Sequence, residues 1–164
     1  MSEPGAGRSV LVTGAARGIG RAIAMRFAAA GDRVAILDKA PGDTAAELLD
    51  SLDGTGHVFV AADVTDGEAL PVLVDSAVGQ LGGLDILVNN AGIFAEHPIA
   101  EVSYAAWRQH WQAILGVNLI GAANVTWCAV RHMKERGGRI VNVSSRGAFC
   151  GEPDVPPTGP ARQA

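Results

Sequence analysis

Short, solidly apolar runs alternate along this chain with longer stretches in which apolar residues recur every three or four positions. The first run, 9–13, has the composition of a strand covered on both faces. It is followed at 19–30 by Ile19, Ala22, Ile23 and Phe27 at helical spacing, ending at Gly31. The unit then repeats. A strand at 33–37 ends at Asp38, and a helix is expected at about 44–52. Gly54 and Gly56 lead into a strand at 57–62, with His57 as no more than its exposed start, and Asp63 and Val64 follow it. Asp66 reads as the N-cap of a helix running to about residue 81, and Gly82-Gly83 separates it from a strand at 84–88. A long helical pattern opens at Ser103 and reaches about residue 134, and a fifth strand follows at 139–143. Strands rich in Val, Ile and Leu, each joined to the next through a helix, predict an α/β fold with a doubly wound parallel sheet. In the long helix Trp107, Trp111 and Leu115 share one face, continued by Val117, Ile120 and Val130. Such a stripe reads as core or subunit-interface packing.

The candidate chemistry lies where these strands end. Between the first strand and its helix stands Thr13-Gly14-Ala15-Ala16-Arg17-Gly18-Ile19-Gly20. Glycines there let the backbone approach a ligand closely, and the helix behind them points unpaired N–H groups at it, which suits an anion such as a pyrophosphate. Asp38 comes 18 positions after Gly20, near the spacing at which an acidic residue meets the ribose hydroxyls of NAD. A carboxylate there would repel a 2′-phosphate, although Arg17 would attract one, so NAD is favoured over NADP. Asp38 has a second reading as a cap for the helix near Thr44. Asn89-Asn90-Ala91-Gly92 brings small and amide side chains to the carboxyl edge of the sheet, as would an ordinary turn. Asn118, an amide among apolar neighbours, is structural or catalytic, and needs partners if buried.

Composition narrows the range of partners. The 164 residues suffice for one domain at 9–151, flanked by an irregular N-terminus at 1–8 and a tail at 152–164 that holds four prolines. Net charge is −4 with Lys and Arg scattered, which gives no support for nucleic acid. No apolar leader and no run of about 18 apolar residues stands out, so a cytoplasmic protein without a membrane partner is expected. His97, His110 and His132 lack metal-ligand spacing, and Cys128 and Cys150 read as free thiols, so no metal is expected.

The glycine turn, Asp63-Val64, Asn89-Asn90-Ala91-Gly92, Val117-Asn118-Leu119 and Val141-Asn142-Val143-Ser144-Ser145 stand in the order and rough spacing of the short-chain dehydrogenase/reductase family, which residues 8 to about 151 resemble. The resemblance implies a Rossmann-type sheet with about five of the family's seven strands. It also implies a nicotinamide cofactor, hydride transfer between an alcohol and a carbonyl substrate, and a homo-oligomer in the full-length family. It places Gly14, Arg17 and Ile19 at the pyrophosphate, Asp38 at the ribose, Asp63 and Val64 beside the adenine, and Asn90 near the second ribose. Gly18, Gly20, Ala91 and Gly92 complete that set. Ser145 matches the catalytic serine and Asn118 the asparagine that helps hold a proton-relay water.

The family's Tyr-x-x-x-Lys pair would begin thirteen positions after Ser145, where this chain has Thr158 and, four further on, Arg162. A threonine cannot titrate as a phenol does, and the single tyrosine, Tyr104, lies on the wrong helix. The chain therefore reads as C-terminally truncated and inactive, with its fifth strand an exposed sheet edge. The tail after about Val155 reads as out-of-frame translation, because a one-nucleotide shift of permitted codons gives Tyr-Gly-x-Ser-Lys. The alternatives are a non-catalytic NAD-binding or interaction module and an insoluble fragment.

Overall fold

The structure, a computed structural model, describes residues 7–39 and 42–145. Thr158, Arg162, Cys150 and the expected tail at 152–164 lie outside the described residues, as does the N-terminus up to residue 6. Strands β1 (Ser9–Thr13), β2 (Arg33–Asp38), β3 (Val58–Ala61), β4 (Ile86–Asn89) and β5 (Arg139–Asn142) form one sheet in the order β3-β2-β1-β4-β5. Every pairing is parallel, with Leu11 opposite Ala35 on one side and Leu87 on the other.

Burial on both sides follows from the composition of the strands. Side chains alternate across a pleated strand, so Leu11, Leu37 and Leu87 enter one core while Val10, Val12, Ile36 and Val88 enter the other. Helices α1 (Gly18–Ala29) and α2 (Gly42–Asp50) cover the Val10 face, the first through Ala24 and Ala28 and the second through Leu48. Helix α3 (Leu70–Leu81) covers the Leu11 face together with the end of a longer helical run, through Val74, Leu81, Val125 and Ala129.

That run is α4 (Tyr104–Leu115), a π-helical turn at Gly116–Gly121, and α5 (Ala122–Met133). The expected start is correct: the Ser103 hydroxyl accepts the Ala106 N–H at 3.2 Å. The expectation of one regular helix is not met, because the turn carrying Asn118 is wider. No unbroken run of about 18 apolar residues occurs in 104–133, but an 18-residue window within it reaches a mean hydropathy of 1.6, long and apolar enough to cross a membrane by length and composition alone. Here α5 instead buries Val125, Cys128, Ala129 and Met133 against α3 and the sheet. Trp107 and Trp111 are half-buried and tilt against each other at 5.2 Å, outside both cores.

The structure adds to the readings of Asp66, His57 and His97. Asp66 makes the bonds of an N-cap, its Oδ1 accepting the Ala69 N–H at 3.1 Å and its carbonyl that of Leu70, one turn ahead of the regular helix α3, which has Pro71 in its first turn. His57 is more than a strand start. Its Nδ1 accepts the Val34 N–H at 3.2 Å and its Nε2 meets the Asp53 carbonyl at 2.9 Å, tying a loop to β2. His97 is fully buried and stacks on His110 at 5.1 Å. Strand β5 is exposed along its length, Ile140 and Val141 included, as an edge strand would be.

Candidate functional site

The carboxyl ends of all five strands open onto a cleft of about 630 Å³. β1 has β2 on one side and β4 on the other, so successive connections leave it in opposite directions, which is where open α/β sheets form a crevice. The sequence-predicted residues Gly14, Arg17, Gly18, Ile19, Asp38, Asp63, Val64, Asn90, Ala91, Gly92 and Ser145 all line the cleft. Gly20 and Asn118 do not.

The glycine turn divides its labour. Gly14 has φ +63°, and a Cβ there would stand 2.7 Å from the Ala91 Cα. Gly18, at φ +57°, has nothing within 4 Å of where its Cβ would be, so it leaves open the approach to the start of α1. Gly20 is a packing residue: its Cβ would fall 2.3 Å from the Gly14 carbonyl oxygen and 2.4 Å from Asn90 Nδ2. Arg17 precedes α1 in an extended conformation, with no side-chain cap on the helix and no acidic residue in its first turn. The positive end of the helix is left for a ligand.

Three hydrogen-bonded ties hold this turn in place. The Gly14 N–H donates to the Leu37 carbonyl at 2.8 Å, and the Ala16 N–H donates to Asp38 Oδ2 at 2.8 Å, fixing the carboxylate at the end of β2. Thr13 Oγ1 accepts the N–H groups of both Asn90 and Ala91 at 3.0 Å. In return Asn90 Nδ2 donates to the carbonyls of Thr13 and Gly14 at 3.0 and 2.9 Å. The tetrapeptide after β4 is thus bolted to the turn after β1.

At the far end Asp63 Oδ1 accepts the Thr65 N–H at 2.9 Å, and Oδ2 meets Lys39 Nζ at 2.7 Å. Burial pushes the Asp63 carboxyl up, but the bonds from Lys39 and Thr65 outweigh it and hold the group below the usual carboxylate range. At the other end Asn89 Nδ2 donates to Thr126 Oγ1 and Asn142 Oδ1, both at 2.9 Å, and the Val143 N–H donates to the Asn89 carbonyl. This fixes the base of the segment carrying Ser144 and Ser145, which line the cleft with Val143.

Asn118 is buried, and its amide is directed at one residue: Nδ2 donates to the Ile93 carbonyl at 3.1 Å and Oδ1 accepts the Ile93 N–H at 2.8 Å. The side chain positions the wall of the cleft from outside it, while Val117 lines the cleft. Sequence reasoning missed Leu37, Lys39, Ala62, Ile93, Phe94, Val117, Val143 and Ser144 as lining residues. Each lies within two positions of a predicted one, and only for Lys39 was there a chemical signal, a cation directly after Asp38. Among the described residues no three His, Cys, Asp or Glu side chains gather as a metal site. Cys128 is a buried free thiol whose ionisation burial pushes up.

A family model described as short chain dehydrogenase matches residues 8–158. The cis-4-hydroxycyclohexanecarboxylate dehydrogenase of Sinomonas cyclohexanicum is 42% identical over 149 residues, covering 88% of this chain and 57% of that protein. The L-fucose dehydrogenase of Mus musculus is 38% identical over 139 residues, covering 85% of this chain and 49% of that protein. A crystal structure from Sinorhizobium meliloti 1021, described as a short-chain alcohol dehydrogenase, superposes with a TM-score of 0.85 at 40% identity, covering 96% of this chain and 62% of the other. The chain therefore spans about half to three-fifths of the length of the proteins it matches.

Proposed function

The chain belongs to the short-chain dehydrogenase family, and from that membership we propose that its cleft binds a nicotinamide dinucleotide, NAD(H) in preference to NADP(H), beside a small alcohol or carbonyl substrate. When bound, the cofactor would supply the hydride acceptor or donor. The chain's own residues would do the rest. Gly14, Arg17, Gly18 and Ile19 would receive the pyrophosphate at the open start of α1, with Gly20 keeping the turn close-packed. Asp63, Val64, Asn90, Ala91 and Gly92 would border the adenosine and the second ribose. Ser145 would donate a hydrogen bond to the substrate oxygen, and Asn118 would act through Ile93 by holding the wall.

The observation that carries the cofactor reading is Asp38, which lines the cleft with Oδ2 fixed at 2.8 Å by the Ala16 N–H. A carboxylate so held can accept from ribose hydroxyls and repels a phosphate attached there. Discrimination of about 1–3 kcal/mol is expected, the scale of a charge-assisted contact. Isothermal titration of both cofactors tests it, with Asp38→Ala narrowing the gap. NADP(H) binding as tight as NAD(H) binding would refute the assignment.

The second part of the proposal concerns turnover. Positions 158 and 162 hold Thr and Arg, so the 164-residue chain by itself brings no phenol and ammonium pair to Ser145. Losing a positioned acid/base group costs about 10²- to 10⁴-fold in rate. The pure chain is expected to bind cofactor without appreciable NAD⁺ reduction by secondary alcohols, which acts in favour of a binding role. A sustained rise in NADH absorbance would overturn this part and leave the cofactor reading intact.

A further inference from the structure

The cleft is lined by two cations and two carboxylates among its β1–β3 loops, Arg17 and Lys39, Asp38 and Asp63. Asp38 is fixed to the glycine turn, so its charge stays in place. Lys39 is the next residue along the chain, placed to serve as a phosphate-binding cation, yet its Nζ lies 2.7 Å from Asp63 Oδ2. The two residues leave neighbouring parallel strands. β2 and β3 pair with Asp38 opposite Ala61, and the Ala62 N–H donates to the Asp38 carbonyl, so Lys39 lies just beyond the last ladder pair and Asp63 one position past its register partner Ala62. The ion pair therefore spans the lip of the cleft.

We propose that Lys39 is a cofactor-specificity residue whose cation Asp63 draws away from the 2′-position, so that rejection of a 2′-phosphate comes from two sources, the fixed charge of Asp38 and the engagement of Lys39. This rests on the cofactor reading above. Asp63 is suited to the task because its other oxygen is held by the Thr65 N–H at 2.9 Å, which aims Oδ2 at the lysine. Its side chain is one-third exposed and that of Lys39 63% exposed, so the pair is solvated and its strength is that of a surface pair. It biases the lysine and does not lock it. Releasing it should shift relative affinity by a factor of about five, and not by orders of magnitude.

The experiment is a double-mutant cycle on a ratio. Asp63→Asn retains an oxygen for the Thr65 N–H and removes the charge that engages Lys39, while Lys39→Met keeps the aliphatic stem and removes the cation. Affinities of NAD⁺ and NADP⁺, and of AMP and adenosine 2′,5′-bisphosphate as probes of the adenosine end alone, are measured by titration calorimetry for wild type, each single variant and the double variant. The quantity compared is the affinity of the 2′-phosphorylated ligand relative to its partner, which cancels any contact of Asp63 with the shared adenine. Asp63→Asn should raise this ratio about threefold to fivefold more when Lys39 is present than in the Lys39→Met background. An equal rise in both backgrounds would mean that Asp63 acts only as a repelling charge and would overturn the proposal, as would no rise at all. Wild-type preference for NAD⁺ with an additive cycle sinks this inference alone. Wild-type indifference to the 2′-phosphate sinks the cofactor reading first.

Discussion

Thr13→Val is the most direct test of how the cleft is held together. The two side chains have nearly the same shape, and Thr13 is 2% exposed, so the substitution barely disturbs packing. What it removes is the one oxygen accepting the N–H groups of both Asn90 and Ala91, each at 3.0 Å. Leaving a buried donor unsatisfied costs about 1–3 kcal/mol. Because Asn90 and Ala91 are only half-buried and border the cleft, water can recover part of this, so about 2–4 kcal/mol is expected for the two together. Against a total stability of about 5–15 kcal/mol that is a large fraction. Thr13→Ser is the control: it keeps the hydroxyl, loses one methyl group and should cost about 1 kcal/mol. Urea unfolding of the three proteins reads both numbers from the midpoints, provided the slope is unchanged. NAD(H) affinity should fall in the valine variant, whose loop is released, and hold in the serine variant. If valine costs no more than serine, the hydroxyl does not hold the loop and the account of the site is wrong.

Two further substitutions probe the scaffold. Gly20→Ala should abolish measurable cofactor binding in titration calorimetry, because its Cβ meets the Gly14 carbonyl at 2.3 Å and Asn90 at 2.4 Å and backbone must move, whereas Gly18→Ala meets nothing and should cost only about 1 kcal/mol for its left-handed φ. Arg8→Ala leaves the Asp32 carboxylate, 4% exposed, without the bonds from Arg8 Nε at 3.0 Å and Nη2 at 2.6 Å. Since Arg8 itself is 42% exposed, the loss should be about 2–3 kcal/mol at neutral pH, below that of a fully buried pair. Arg8 holds the Asp32 carboxyl below its ordinary range, so the contribution is fully present above the unfolded pKa of about 4 and is lost as pH falls through the folded value. Urea titrations from pH 7 to pH 2 should therefore show the gap between wild type and Arg8→Ala closing in acid, and a gap independent of pH would contradict the assignment.

The parts of this fold that were legible are those set by periodicity. Ser9–Thr13 and Arg33–Asp38 are fully flanked strands, and an unbroken apolar run marks such a strand to within a residue. Strand β4 begins two residues after the expected start at 84 because Asp85 lies outside the ladder as a junction: Oδ2 accepts the Ser9 N–H at 2.8 Å, and its backbone bonds reach Ser9 and Arg139. Three glycines in one turn look alike as letters. The close approach of the Gly14 carbonyl and of Asn90 separates Gly20, where no Cβ fits, from Gly14 and Gly18, which adopt positive φ. Lys39 was passed over for a similar reason, since a lysine after a strand is ordinarily solvated and its partner Asp63 is remote in sequence.

Asn118 joins the legible and illegible parts of the site. The inward line of the long helical run passes through Ile114, Asn118, Gly121, Val125 and Cys128, all buried and three or four positions apart, so spacing alone places the amide where an apolar residue would be expected. An amide at such a point must find partners, and here both are backbone groups of Ile93. Gly121, one turn on, admits Val64, whose Cγ2 would lie 2.7 Å from any Cβ placed there. The wider π-turn from Gly116 to Gly121 contains both contacts. It presents an amide to the loop after β4 and a gap to the loop after β3, while the α5 residues beyond it still face the core. Both contacted residues, Ile93 and Val64, line the cleft, so the irregular turn connects the packed helix to the site walls. Hydrophobic spacing runs through the turn unbroken and gives no sign of it; the polar residue within that spacing is the sign that the sequence does carry.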